Sequence, residues 1–441
     1  MNQDSWQALG HTLTSCLQLD EVISLSLTAE DTLYVRMTQG KIRQTSDIKQ
    51  GFVEIHFFKG KRNLKLILPY TGNLDHDVKK FQQGLTQCRL DIEGVPDDPL
   101  AQIPVFQEPY HRTASHKLNR LDLLDQCLES TQGLDFVGLL TVGEMIRANF
   151  NSVGLNQWFE SSTFAVDFSL YTSNQQAVKG IYGGLHWDNQ QFSQILQEKR
   201  RQLEHLNSPL KTIEKGKYRV YFAPEAVKGL IDSLGWRLGV SQDAYQRGSC
   251  ALKKLVDGEA KLSPHFTLQE NFTSGETPPF NECGEIGAPI LALIENGEYR
   301  SLLCSSRTAQ EYKISTNFAS QQESMRSPEI LAGQLSQENI LKELGTGLFV
   351  SNLHYLNWSN VQEGRITGMT RFGCFWVENG EIQAPVKDMR FDESLYHFWG
   401  QGLDSLTSTS YTFPNLDTYY QRNLGSTKVP GMIVNDFTFV G

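Results

Sequence analysis

The chain has no long apolar run, no paired cysteines and no excess of positive charge, and each absence narrows what it can be. Nowhere do the roughly 18 successive apolar residues of a membrane-spanning helix occur. The opening MNQDSWQALG has neither a basic start nor the continuous apolar stretch of a secretory signal. A cytoplasmic protein with no membrane partner is expected. The seven cysteines, at positions 16, 88, 127, 250, 283, 304 and 374, are odd in number, scattered and never in a Cys-x-x-Cys pair. That pattern fits reduced thiols rather than a disulfide framework. A formal net charge of −10 repels phosphate backbones and anionic lipid outside a local basic patch, so no nucleic-acid partner is expected. Lys199, Arg200 and Arg201 lie in a stretch of mixed sign, EKRRQLEH, and read as a solvated helix face. Signatures of common chemistries are missing too: there is no phosphate loop, no Gly-x-Gly-x-x-Gly opening a helix and no Gly-x-Ser-x-Gly elbow. Ser249-Cys250 has no histidine base or orienting carboxylate assigned by the sequence and reads as structural.

What is present is enough apolar sequence, 39% over 441 residues, for two and perhaps three cores. Trp6, Leu9, Leu13, Cys16 and Leu17 share one helical face. From Glu21 to Pro69 the pattern changes to four strands separated by glycine-containing turns at Gly40, Gly51 and Gly60, an antiparallel meander. Leu74, Val78, Phe81, Leu85 and Cys88 step by four and three, giving a helix to cover that sheet. A Pro- and Asp-rich loop over 91–109 leads to a helix near Lys117–Leu128, further strands over 136–185 and a helix over Asp188–Leu206. Residues 207–217, with Ser208-Pro209, form the best linker. In the carboxyl half, helix is expected from Asp243 to Leu255, and Ser336 is placed to cap a short helix. Two Asn-Gly pairs between apolar strands, at Asn296-Gly297 and Asn379-Gly380, predict tight hairpins. The expected fold class is α+β in two domains: an N-terminal sheet with covering helices over 1–206, divisible into 1–109 and 110–206, and a mainly antiparallel β-rich domain over 218–441.

The stretch Lys217–Leu238 predicts a strand running into a helix. Tyr218, Val220 and Phe222 alternate as a half-buried strand does. Pro224 suits a first helical turn, and Glu225 sits near the positive end of the helix. Val227, Leu230, Ile231, Leu234 and Leu238 make its apolar face. None of the usual catalytic side chains is on it.

Several stretches together give the chain a family likeness: YVRMTQGKIRQT, FAPEAVKGLIDSL, Ser315-Thr316-Asn317, LGTGLFVSN and FWVENGEIQAPV. They resemble the TldD/PmbA family, once labelled modulators of DNA gyrase, and the last resembles its PmbA, or TldE, branch. The resemblance implies a heterodimeric, in some relatives homodimeric, metallopeptidase acting on small or unfolded peptides, with zinc held by the TldD subunit. In TldD the matching helix carries His-Glu-x-x-x-His, two imidazoles on one ion with a carboxylate to polarise water. Here the matching positions run from Ile231 to Trp236: both histidines are replaced by apolar side chains, and only Asp232 keeps an acid. The family's third ligand, a cysteine near the carboxyl terminus, has no counterpart in TYYQRNLGSTKVPGM. No zinc is therefore expected in this chain. It is expected in a TldD-like partner.

Other residues are weighed beside that reading. Asp232 either faces a peptide cleft or is an exposed carboxylate without a catalytic role. Gly345, Thr346 and Gly347 either let an extended peptide approach the backbone or simply connect a helix to a strand. His354 and Cys374, on neighbouring predicted strands, are the pair to inspect for a replacement metal site, although a buried thiol is the default for Cys374. The expected function is a non-catalytic TldE-like subunit that shapes a peptide cleft in a peptidase complex. A stand-alone peptide-binding or regulatory homodimer is the alternative.

Overall fold

The computed structural model describes residues 1–114, 116–235 and 237–440; Trp236, singled out above, lies outside them. The chain begins with helix α1 (Gln3–Ser15), whose Asn2 cap accepts a hydrogen bond from the Ser5 amide at 2.8 Å. Three antiparallel strands follow, β1 (Glu21–Thr38), β2 (Lys41–Lys59) and β3 (Arg62–Pro69), then α2 (Leu74–Asp91). The sequence predicts four strands here and a turn at Gly51; the structure has three, and β2 runs straight through that glycine. Gly51 lies opposite Ala29 in the ladder, and a Cβ there would stand 3.0 Å from both the Met1 side chain and the Tyr70 carbonyl. It makes room for packing rather than a turn. Gly40 and Gly60, with φ of +63° and +60°, do turn the chain.

Next come β4 (Tyr110–Arg112), α3 (Arg120–Ser130), β5 (Phe136–Asn151), β6 (Asn156–Tyr171), β7 (Ala177–Gly184) and α4 (Asn189–His205). The sheet order is β3-β2-β1-β5-β6-β4, with β7 paired to β6. Alternation decides its two faces. Ile23, Leu25 and Leu27 of β1 are buried beneath Trp6, Leu9 and Leu13 of α1 and Phe81, Leu85 and Cys88 of α2. Ser24, Ser26 and Thr28, the intervening residues, stay half-buried on the other face.

One helix departs from expectation. Arg200 and Arg201 of α4 are exposed, but Lys199 is 3% exposed and its Nζ lies 2.6 Å from Glu225 Oε1. It sits on the same helical stripe as the buried Phe192 and Leu196.

The carboxyl half starts with β8 (Gly216–Phe222) and α5 (Pro224–Gly235), the predicted strand and helix, but the helix stops short of Leu238, which is exposed rather than part of the apolar face. The helix predicted over 243–255 is instead two short turns, Gln242–Gln246 and Lys253–Val256, parted at Gly248 with φ of +72°. The remaining strands are β9 (Leu268–Asn271), β10 (Ile290–Glu295), β11 (Glu298–Tyr299), β12 (Pro328–Ile330), β13 (Gly347–Asn360), β14 (Arg365–Glu378), β15 (Glu381–Pro385), β16 (Arg390–Ser394), β17 (Leu403–Pro414) and β18 (Ser426–Phe439). Both Asn-Gly hairpins form, with positive φ at Asn296, Gly297, Asn379 and Gly380. Ser336 does not cap: its side chain makes no cap bond, and its hydroxyl instead accepts from Asn339 Nδ2 at 2.9 Å.

The second sheet nearly closes on itself. β8 pairs with β13 on one side and β18 on the other, and β13, β14, β16 and β18 are linked in turn. Helix α5 packs its Val227, Leu230, Ile231 and Leu234 into this core with Val220, Phe222, Val350 and Met432. Two sheets with helices grouped on their faces make an α+β fold. Among the described residues no helix is long and apolar enough to cross a membrane.

Candidate functional site

Helix α5 is the first place to look for chemistry. Ile231 has no exposed surface and belongs to the core. Asp232 accepts from Lys228 Nζ, one turn earlier, at 2.5 Å, and from Thr427 Oγ1 at 3.3 Å. Ser233 Oγ turns back to the Gly229 carbonyl at 3.0 Å. These positions do not fit zinc: Ile231 has no lone pair to give, and the Asp232 carboxylate is neutralised by an ammonium beside it. Among the described residues, no three His, Cys, Asp or Glu side chains come together in a way that could hold a metal ion.

The alternative pair is on adjacent strands but out of step. His354 lies opposite Met369, and Cys374 opposite Val350, four residues away along β13. The His354 ring packs 4.0 Å from that of Tyr355. Cys374 is buried, its Sγ donates to the Arg371 carbonyl at 3.4 Å, and burial pushes its thiol up to about 12. The Gly345–Gly347 loop joins the short helix Ile340–Leu344 to β13 and is pinned by the β14–β15 hairpin. Gly345 O accepts from the Gly380 amide at 2.7 Å, and Thr346 Oγ1 from the Asn379 amide at 3.2 Å. At Gly347 a Cβ would meet the Arg219 carbonyl at 2.2 Å.

A large cleft lies elsewhere, between the open face of the first sheet and three loops of the carboxyl half. Its volume is about 920 Å³, of the size that takes a drug-sized ligand or a short stretch of chain. Ser26 and Thr28 of β1, Phe52 and Glu54 of β2, Lys65 and Ile67 of β3, and Arg147 of β5 supply the floor. Alternation within each strand puts them there, since their neighbours point into the helix-covered core. Residues 277–282, 320–326 and 415–424 contribute the rim. A second hollow of about 280 Å³ shares Ser26, Glu54, Lys65, Glu282 and Gln321 with it and extends the groove towards His56 and residues 102–107. The end of α5 backs onto this space: a Cβ at Gly235 would stand 3.2 Å from the Met325 methyl, and Met325 lines the cleft.

The charges of the cleft are unevenly compensated. Glu54 pairs with Lys65 at 2.7 Å. Arg326 Nη1 donates to the carbonyls of Phe280 and Pro278 at 2.7 and 3.3 Å, and its guanidinium lies 4.6 Å over the Phe272 ring. Burial lowers its pKa, with Glu270 and Glu282 opposing. Arg147 donates through Nη1 to the Ile146 carbonyl at 2.8 Å and through Nη2 to the Arg422 carbonyl at 3.2 Å. Arg422, buried behind the rim, reaches Thr163 Oγ1 at 2.7 Å and its carbonyl at 3.4 Å. Burial pushes both guanidinium groups down to about 10, so both remain charged at neutral pH. The sequence reading passed over all three arginines. A signal existed for Arg147, a long cation in the otherwise uncharged stretch MIRANF of a strand.

The description "PmbA/TldA metallopeptidase C-terminal domain" fits residues 215–441. The metalloprotease PmbA of Escherichia coli O157:H7 is 32% identical over 207 residues, which are 45% of this chain and 43% of that protein. The aligned part thus spans less than half of that curated relative. Two solved structures share the fold along nearly the whole chain. One is a proposed modulator of a DNA gyrase from Thermotoga maritima, with a TM-score of 0.75, 16% identity and 99% of each chain covered. The other is TldE from Thermococcus kodakarensis, with a TM-score of 0.75, 14% identity, and 99% of this chain and 100% of that one covered.

Proposed function

Because the chain belongs to the PmbA/TldD metallopeptidase family, we propose that it is a metal-free, TldE-like subunit of a cytoplasmic peptidase complex, with zinc carried by a TldD-like partner. The reading also takes the two sheets as two domains joined through residues 207–217. The observation that carries it is α5, where the family likeness places ligands but Ile231 is core and Asp232 is held by Lys228 and Thr427. The chain's own contribution is then binding. Floor strands β1 to β3 and the loops at 277–282 and 320–326 would hold a short or unfolded peptide extended, keeping it from collapsing away from the partner's ion. The floor mixes polar side chains with the exposed apolar Phe52 and Ile67, which suits an extended chain carrying both kinds of side chain.

A second reading, a stand-alone peptide-binding or regulatory homodimer, would use the same cleft, whose floor and rim this chain supplies. Metal content and mass, measured for the purified chain alone and after co-expression with a zinc-bearing family member, separate the readings. Zinc and chelator-sensitive peptide cleavage are expected only in the mixed complex. Stoichiometric zinc and cleavage by the chain alone overturn the proposal. A persistent homodimer that ignores the zinc-bearing protein selects the second reading.

A further inference from the structure

Several cations of this molecule that leave the solvent follow one rule and find carboxylates. Lys199 has Glu225 at 2.6 Å, Arg89 has Glu21 at 2.8 Å, and Arg120 has Asp31 at 2.7 Å and Glu144 at 2.9 Å. Arg147 and Arg422 break this rule. Their hydrogen bonds go to carbonyls and one hydroxyl, and among the described residues neither has an ion-pair partner. The nearest acid in charge terms is Glu30, and its carboxylate is already engaged by the Tyr34 hydroxyl at 2.9 Å and Gln50 Nε2 at 2.7 Å.

The two guanidinium groups, Arg422 buried and Arg147 half-buried, share Glu30 as their counter-charge, so two cations face one anion in the cleft wall. Arg326 is different, because two carbonyls and an aromatic face fix its plane. Among the described residues, Arg147 uses two of its five donors. Its position in the ladder, opposite Thr28, puts it on the open face of the sheet, and it lines the cleft. Arg422 sits behind it on the strand-to-strand loop that forms the rim. A planar fork with spare donors, in a low-dielectric wall and beside a second cation, is suited to a carboxylate, which it can grip through two parallel bonds.

We propose that Arg147, with Arg422 behind it, anchors a carboxylate of a peptide held in the cleft. The group is either the peptide's terminal carboxylate or an acidic side chain. This rests on the peptide-cleft reading above, and it fixes one end of the bound chain at the β5 side of the groove, leaving the hollow near His56 and Glu54 for the other.

The test uses the full chain and a short alanine–leucine peptide, dye-labelled at its amino terminus, with binding read by fluorescence anisotropy. Three forms are compared: the free acid, the C-terminal amide, and an amide carrying one internal glutamate. The free acid or the glutamate form is expected to bind at least about tenfold more tightly than the plain amide, as befits a charge-assisted hydrogen bond. Which of the two does so identifies the source of the carboxylate. Arg147→Gln should erase the preference, and Arg147→Lys should restore part of it. Equal binding of all three forms by the unaltered chain overturns the anchor and leaves the peptide cleft standing, a result that needs no variant to fold. Failure of every form to bind, with or without the zinc-bearing partner, overturns both.

Discussion

Lys199 and Glu225 join the last helix of the first half to the first turn of α5, with side chains only 4% and 10% exposed. The pair does two things at once, neutralising a buried ammonium and placing an anion at the positive end of a helix. Removing one partner leaves the other unpaired, so Lys199→Ala should cost roughly 3–5 kcal/mol, seen as a lower urea midpoint. Replacing both together, Lys199→Met with Glu225→Leu, should recover most of it; no recovery would mean the charges are not what the single change removes. Burial opposes the Lys199 charge, yet Glu225 and Glu198 raise its pKa above the ordinary lysine value. The stability it brings is therefore fully present below about pH 10.4 and lost only as pH rises through the higher folded value. The sequence pointed both ways on this residue. Its spacing from Phe192 and Leu196 placed it on the buried stripe, while its charged neighbours suggested solvent. The spacing was the better guide, because a helix face is set by geometry and a lysine can follow it if an acid is waiting.

Strands rather than helices set the tolerances of the fold. Gly143 of β5 lies opposite Thr32 of β1, and a Cβ there would come within 2.0 Å of the Asp31 carbonyl. Gly143→Ala should therefore push the two central strands apart and cost roughly 1–3 kcal/mol in thermal unfolding. Gly94→Ala, where a Cβ meets nothing within 4 Å, is the control and should change little. Equal effects would show that glycine flexibility, not strand approach, governs Gly143. Elements specified by near neighbours were legible in the sequence: the Asn-Gly hairpins, α1, α2, and the strand and helix at β8 and α5. The length of β1 and β2 was not. β1 is held from Ser24 to Thr38 by β5, roughly a hundred residues later, so Gly51 could sit inside a strand without ending it. No local pattern reports such a partner.

The whole molecule is bound together by carboxylates whose partners are distant in sequence. Burial opposes ionisation of Glu21, Asp31, Glu329 and Asp404, but hydrogen bonds from Arg89, Arg120, Lys428 and Arg219 hold each below its ordinary value. A depressed acid contributes stability above its unfolded pKa, near 4, and loses it as pH falls through the lower folded value. Glu270, raised by burial, acts in the opposite sense. The melting temperature should stay level from neutral pH to about pH 5 and then fall steeply. A melting temperature that rises on acidification would show that Glu270 and its like outweigh the paired acids. The cleft belongs to this scale as well. Its floor comes from residues 26–67 and 147–149 and its rim from 277–424, so the family likeness could suggest a cleft but nothing in the sequence could locate it. The ring of strands in the second sheet carries a consequence for how the protein is made. Val220 of β8 pairs with Val434 of β18, roughly two hundred residues later, and β16 also meets β18. A ribosome can deliver the whole first sheet, which then folds while the nascent second sheet still gapes. Until β18 emerges, β8 shows a bare edge to the solvent, and that interval is when a chaperone, or a wrong neighbour, has its opportunity.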